Sequence, residues 1–185
     1  MAMKNKAYNL ATYAFKKEEP LILDANVWLY LYPAPSDKYT GPAARYSAAM
    51  KSMLSAGSHL VIDAMVLSEY LNRYCRIEWN ALHKAAYLDF KAFRKSIDFL
   101  LVGQGAATFA RSMLKVCTRH DHPFAAADIA QILLDFETGG NDFNDGLLAE
   151  TCRHNGWKLI TNDKDFSTGG IEVLTAHPAL LRACP

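Results

Sequence analysis

Cysteine is scarce in this chain: four residues in 185, Cys75, Cys117, Cys152 and Cys184, widely spaced, with no CxxC pair and no cysteine–histidine spacing of the zinc type. That excludes a disulfide framework and suits free thiols in a reducing compartment. Long hydrophobic runs are missing too. No stretch approaches the roughly 20 apolar residues of a membrane span, and the opening MAMKNKAYNLATYAFKKEEP has no uninterrupted apolar core of signal-peptide type. Nor does either charge dominate. Lys and Arg number 20 against 19 acids, a formal net charge of +1, so a polyanionic partner would have to be attracted by local patches. No two of the six histidines stand at helical metal spacing, and the cluster RHDH (119–122) reads as a solvated loop. Internal repeats, low-complexity tracts and interdomain linkers are absent as well. What is left is a soluble, cytoplasmic protein, 51% hydrophobic and long enough to bury one core.

One stretch stands out. LILDANVWLYLY (21–32) sets Asp24 and Asn26 where apolar packing should close over them, and a carboxylate is costly to bury unless it is paired or bound to a cation. Around it, strand and helix patterns alternate. Pro20 opens a strand at 21–24, a helical start follows at 26–32, and PAPSDKYTGP (33–42) is a loop. Residues 43–56 read as a helix with Tyr46, Ala49, Met50 and Met53 on one stripe, stopped by Gly57. HLVID (59–63) is a second strand and AMVLSEYLNRYCRI (64–77) a helix, followed by helical stretches at 81–101, 105–118 and 124–138. NDFNDGLLAETCRHNG (141–156) restarts a helix, with Asn141 or Asp142 near its N-cap and Asn155–Gly156 as its stop. WKLIT (157–161) and IEVLT (171–175) are the third and fourth strands, NDKDF (162–166) is a turn, and HPALLRACP (177–185) is an irregular tail. The alternation predicts an α/β fold, a central mostly parallel sheet flanked by helices, with the long helical block as a lobe. Residues 1–20 are expected to be an N-terminal extension and 21–185 a single domain.

In an open α/β sheet, ligands collect beyond the carboxyl ends of the strands. Asp24 ends the first strand, Asp163 follows the third, and Glu69 lies early in the helix after the second. Asp142 and Asp145, three positions apart, share a helix face with Cβ atoms about 5–6 Å apart. Asp165 shares the turn of Asp163. Such a cluster repels itself, and a hard divalent cation, Mg²⁺ or Mn²⁺, matches an all-oxygen set that zinc would not favour. Ions of that kind turn water into a nucleophile and stabilise a leaving oxygen, which is the chemistry of phosphodiester hydrolysis. Asn26 and Thr161 are expected in support, anchoring the loop or a water beside the ions. Singly, each motif has a plainer reading: Asp24 as a cap, Glu69 as a solvated helix residue, Asp142 and Asp145 as a pair favoured by the helix dipole, TNDKD as a turn. Their meeting at one predicted sheet edge favours a site. Arg45, Lys51, Arg73, Arg76, Lys91, Arg94 and Lys95 lie on helices that could border it, where some would touch phosphates.

LILDANVW, SEY, NDFNDGLLAE and LITNDKDF, in that order, resemble the PIN-domain family of metal-dependent nucleases, which is similar to the flap nucleases and includes toxins of the VapC type. The resemblance covers roughly residues 21–175. It implies a PIN-like three-layer fold and a Mg²⁺- or Mn²⁺-dependent endoribonuclease. Asp24, Glu69, Asp145 and Asp163 would be its catalytic, metal-holding acids, Asp142 a further ligand, and Asn26, Thr161 and Asp165 supporting residues. It also implies RNA as substrate, an antitoxin protein as partner of a toxin, and a homodimer. The chain departs from compact VapC-type toxins in the residues ahead of its first strand and in its long helical middle. Two other readings compete. One is a non-catalytic RNA-binding or protein-interaction module on a PIN fold. The other is a phosphatase of the haloacid-dehalogenase type, which needs a second Asp where this chain has Asn26.

Overall fold

The computed structural model describes residues 3–39 and 41–184, so the domain bounds expected at residues 1 and 185 lie outside the described residues. The sheet is built from β1 (Lys6–Asn9), β2 (Pro20–Leu23), β3 (His59–Ile62), β4 (Thr118–Arg119), β5 (Lys158–Ile160) and β6 (Glu172–Thr175). These strands run parallel in the order β1-β6-β5-β2-β3-β4. The central strands are apolar along their length rather than alternating: Leu21, Ile22, Leu23, Leu159, Ile160, Val173 and Leu174 are all fully buried. That is the pattern of a parallel sheet covered on both faces. Replacing Leu159 by Ala in the sheet centre is expected to cost about 3 kcal/mol through the cavity it leaves, read as a lower urea midpoint.

The four strands expected from the sequence are present, and two more join them. β1 comes from the N-terminal segment, which had been expected to be an extension; it pairs with β6 from Lys6 beside Glu172 to Asn9 beside Thr175. The Lys158 ammonium fastens the segment, 2.7 Å from the Tyr13 hydroxyl, 2.8 Å from Glu19 and 3.3 Å from Glu172. β4 is only two residues long, beside the end of β3.

The helices are α1 (Ala25–Leu31), α2 (Ala43–Ala56), α3 (Ala64–Glu78), α4 (Phe90–Arg94), α5 (Phe99–Val116), α6 (Ile129–Glu137), α7 (Phe143–Asn155) and α8 (Pro178–Ala183). Gly57 and Gly156 end α2 and α7 with φ of 72° and 66°, a left-handed turn that a residue without Cβ adopts freely. The helix expected at 81–101 is instead broken. A π-helical turn at Trp79–His83 closes α3, and Asp89 starts α4 by accepting from the Ala92 N–H at 2.8 Å. The tail expected to be irregular forms α8, with Pro178 in its first turn and His177 Nδ1 accepting from the Ala179 N–H.

Candidate active site

Asp24 follows the last residue of β2 and occupies the N-cap position of α1. Its backbone is extended, as a cap requires, yet its side chain accepts no hydrogen bond from the helix backbone. The cap reading therefore fails. The carboxylate is buried, 5% exposed, and one oxygen accepts from the Thr161 hydroxyl at 2.6 Å and from the Asn26 side-chain amide at 2.5 Å. Thr161 Oγ1 in turn accepts from Asn26 at 3.2 Å and from the Asp163 N–H at 3.0 Å, while Asn26 Oδ1 accepts from the Asn162 N–H at 3.2 Å. β2 and β5 are neighbours in the sheet, which is why residues 24–26 and 161–163 meet.

A residue with no sequence signal placing it here completes the frame. Tyr46 lies on the apolar stripe of α2 and is 1% exposed, but its hydroxyl is 2.9 Å from the Thr161 carbonyl and 3.0 Å from Asn162 Oδ1, and it accepts from the Ala176 N–H at 3.2 Å. Burial raises the phenol to about 12, opposed chiefly by the hydrogen bond it accepts from the Ala176 N–H. Tyr30 adds a further link, accepting from the Asn162 side chain at 3.2 Å. Tyr46→Phe removes a hydroxyl that bridges the residue after β6 and the turn after β5. It is expected to cost about 1–2 kcal/mol of stability and to loosen that turn, seen as faster amide exchange at Asn162 and Asp163.

The other acids take distinct positions around this frame. Asp145 lies half-buried in the first turn of α7. Asp142 is exposed and caps α7, accepting from the Asn144 N–H at 2.8 Å, so the plainer reading holds for its side chain as it stands. Asp163 Oδ1 accepts from the Asp165 N–H at 3.0 Å, which closes the turn, while Asp165 itself is exposed. Glu69 is one turn into α3 and pairs with Arg73 at 3.2 Å. Asp63 caps α3 through the Val66 N–H at 2.8 Å and fixes where that helix, and thus Glu69, begins.

Electrostatics link these groups. Burial pushes Asp24 up to about 6, the Thr161 hydrogen bond opposes it, and the charges of Glu69 and Asp163 push it further. Burial also lifts Asp145, to about 7, with Asp24, Asp163, Asp142 and Glu69 each adding repulsion. Among the described residues, no Lys, Arg or His forms an ion pair with Asp24, Asp145 or Asp163. Also among the described residues, no three Asp, Glu, His or Cys side chains are clustered tightly enough to grip an ion as they lie. The acids act on one another at electrostatic range. An all-oxygen set under mutual repulsion can be relieved by protonation or by a hard divalent cation, whose oxygen preference the set matches.

The PIN domain family model matches residues 21–170. No curated protein matches the chain. Among solved structures, VapBC2 from Rickettsia felis bound to a DNA fragment from its promoter is 16% identical, covering 84% of this chain and 98% of that one with a TM-score of 0.52. PAE2754 from Pyrobaculum aerophilum is 16% identical over 95% of both chains, TM-score 0.49. FitAcB from Neisseria gonorrhoeae is 22% identical over 83% of this chain and 96% of that one, TM-score 0.42. With the acids at the carboxyl ends of a parallel sheet and a family match across most of its length, the chain belongs to the PIN-domain family.

Proposed function

We propose that the protein is a Mg²⁺- or Mn²⁺-dependent endoribonuclease whose ions are held by Asp24, Glu69, Asp145 and Asp163, with Asp142 assisting. The observation that carries this reading is Asp24 itself: a buried carboxylate that caps nothing, pairs with no cation among the described residues, and is repelled by its neighbours. Bound there, a divalent ion supplies activated water and charge neutralisation at a phosphodiester. The chain's own residues do the rest. Asn26 and Thr161 fix the rotamer of Asp24, Tyr46 and Asn162 hold the turn that carries Asp163, and α7 presents Asp145 from its first turn. Glu69 joins by leaving Arg73, an exposed pair of the kind worth only about 0–1 kcal/mol. Asp165 supports the turn through its N–H.

A toxin paired with an antitoxin protein is the biological setting that the likeness to VapBC2 favours; a cytoplasmic location and a homodimer belong to this proposal through the family resemblance alone. No helix among the described residues is long and apolar enough to cross a membrane. The non-catalytic alternative would leave several acids crowded with nothing to gain from it. Incubating the purified protein with a mixed RNA pool in Mg²⁺, Mn²⁺ or chelator tests the reading. Metal-dependent cleavage is expected; intact RNA under all conditions, from folded protein, refutes it.

A further inference from the structure

Beyond the acids, the lobe formed by α3, α4 and α5 holds a cavity of about 360 Å³ lined by Ser68, Asn72, Cys75, Phe90, Arg94 and Phe99 among others. A second, more open cavity contains Glu69 and Asn144, and it shares Ser68 and Asn72 with the first. The two therefore adjoin across one face of α3, a single helical turn from Glu69 to the shared wall. Asn72 and Ser68 are exposed, with the Asn72 amide donating to the Ser68 carbonyl at 2.9 Å.

Two aromatic rings and one guanidinium stand in the wall of the first cavity, with further cations beside it. Phe90 and Phe99 are half-buried, the Arg76 guanidinium lies 4.4 Å from the Phe90 ring centre, and that of Arg94 lies 5.8 Å from the Phe99 centre. Lys91, Arg94 and Lys95 are exposed on α4 and just after it. None of the three forms an ion pair among the described residues. The acids nearby in sequence have other tasks: Asp89 caps α4, and Asp98 accepts from the Tyr87 hydroxyl at 2.8 Å. Aromatic faces, guanidinium planes and unpaired cations beside a polar helix edge are the combination that takes unstacked bases and their phosphates. The volume is at the small end of the range of about 300–1,000 Å³ for ligand pockets, enough for one nucleotide and too small for a duplex.

We propose that this pocket receives one base of single-stranded RNA, the nucleotide flanking the bond that lies over the acids. Phe90 and Phe99 supply stacking surface, Arg94 engages the adjoining phosphate, and Ser68 and Asn72 offer hydrogen bonds to the base edge. The inference rests on the ribonuclease reading above and adds where the strand runs: from the acids, across Ser68 and Asn72, into the helical lobe.

The test is fluorescence anisotropy with a short 5′-labelled single-stranded RNA in chelator, on full-length wild type and on Arg94→Gln, Phe90→Leu and Ser68→Trp. Arg94 and Ser68 are exposed, so those two variants stay informative if Phe90→Leu misfolds. Each folded variant is expected to bind about tenfold more weakly, the scale of one lost stacked base. Duplex RNA is expected to compete poorly. Wild-type affinity in Arg94→Gln and Ser68→Trp, or duplex RNA competing equally, overturns the pocket while leaving the nuclease reading intact if wild type cuts the RNA pool. A wild-type protein that neither binds nor cuts RNA overturns both.

Discussion

Asp145→Asn is expected to slow metal-dependent RNA cleavage by about 10²–10³-fold, the usual cost of removing one electrostatic group from a reacting centre, while making the metal-free protein more stable at neutral pH. The two effects share one cause. Asp145 is lifted to about 7 by burial and by Asp24, Asp163, Asp142 and Glu69, so its charge is unwelcome in the empty fold and useful only when a cation answers it. Asparagine keeps the shape and removes the charge. A residue acting merely as a helix-start acid would show the reverse: losing favourable dipole contact should lower stability by about 0.3–1 kcal/mol, with cleavage unaffected. Single-turnover cleavage and urea unfolding on the same preparations separate the two.

The second large effect is a fall in the stability of the metal-free protein as pH rises from about 4 to 7. Asp24 and Asp145 have folded values of about 6 and about 7 against 3.8 for a free side chain. Across that window the folded state binds more protons than the unfolded one, so unfolding free energy decreases with pH, and the loss is complete above the folded values. With Asp145 only half-buried and solvent screening part of the repulsion, the total is on the order of 3 kcal/mol. Added Mg²⁺ or Mn²⁺ is expected to reverse the trend, stabilising by about 2.7 kcal/mol at a hundredfold excess over the dissociation constant and most strongly at high pH, where protons no longer compete. Melting curves at pH 4.5, 6 and 8, with chelator or with metal, show it. Stability that is flat with pH in chelator would mean that the two acids are not under strain.

How much of this could be read in the sequence follows from what each signal encodes. Strands β2 and β5 were legible because a parallel core strand is a plain apolar run, LIL or KLI, with a turn after it. β1, KAYN, has no such run and is placed by its ladder with β6 at the far end of the chain, a long-range cause that no local window contains. The helix expected at 81–101 failed because apolar spacing continued through Asp89, whose side chain prefers to cap a new helix than to ride inside an old one. Asp24 and Asp163 were legible as strand-end acids. Tyr46 was not, because stripe periodicity reports the ring and says nothing of where the hydroxyl ends. The Glu69–Arg73 pair is the other side of the same limit: i,i+4 spacing allowed it, but only the fold decides whether the carboxylate turns to its neighbour or to the cleft.

A divalent cation taken up by the crowded carboxylates at the sheet edge is the proposal on which the rest depends. Calorimetric titration of Mn²⁺ into wild type, Asp24→Asn and Asp145→Asn at neutral pH measures it directly. Saturable binding with proton release is expected in wild type, and at least about tenfold weaker binding in each variant. Equal Mn²⁺ affinity in all three proteins, or none in the wild type, would contradict it.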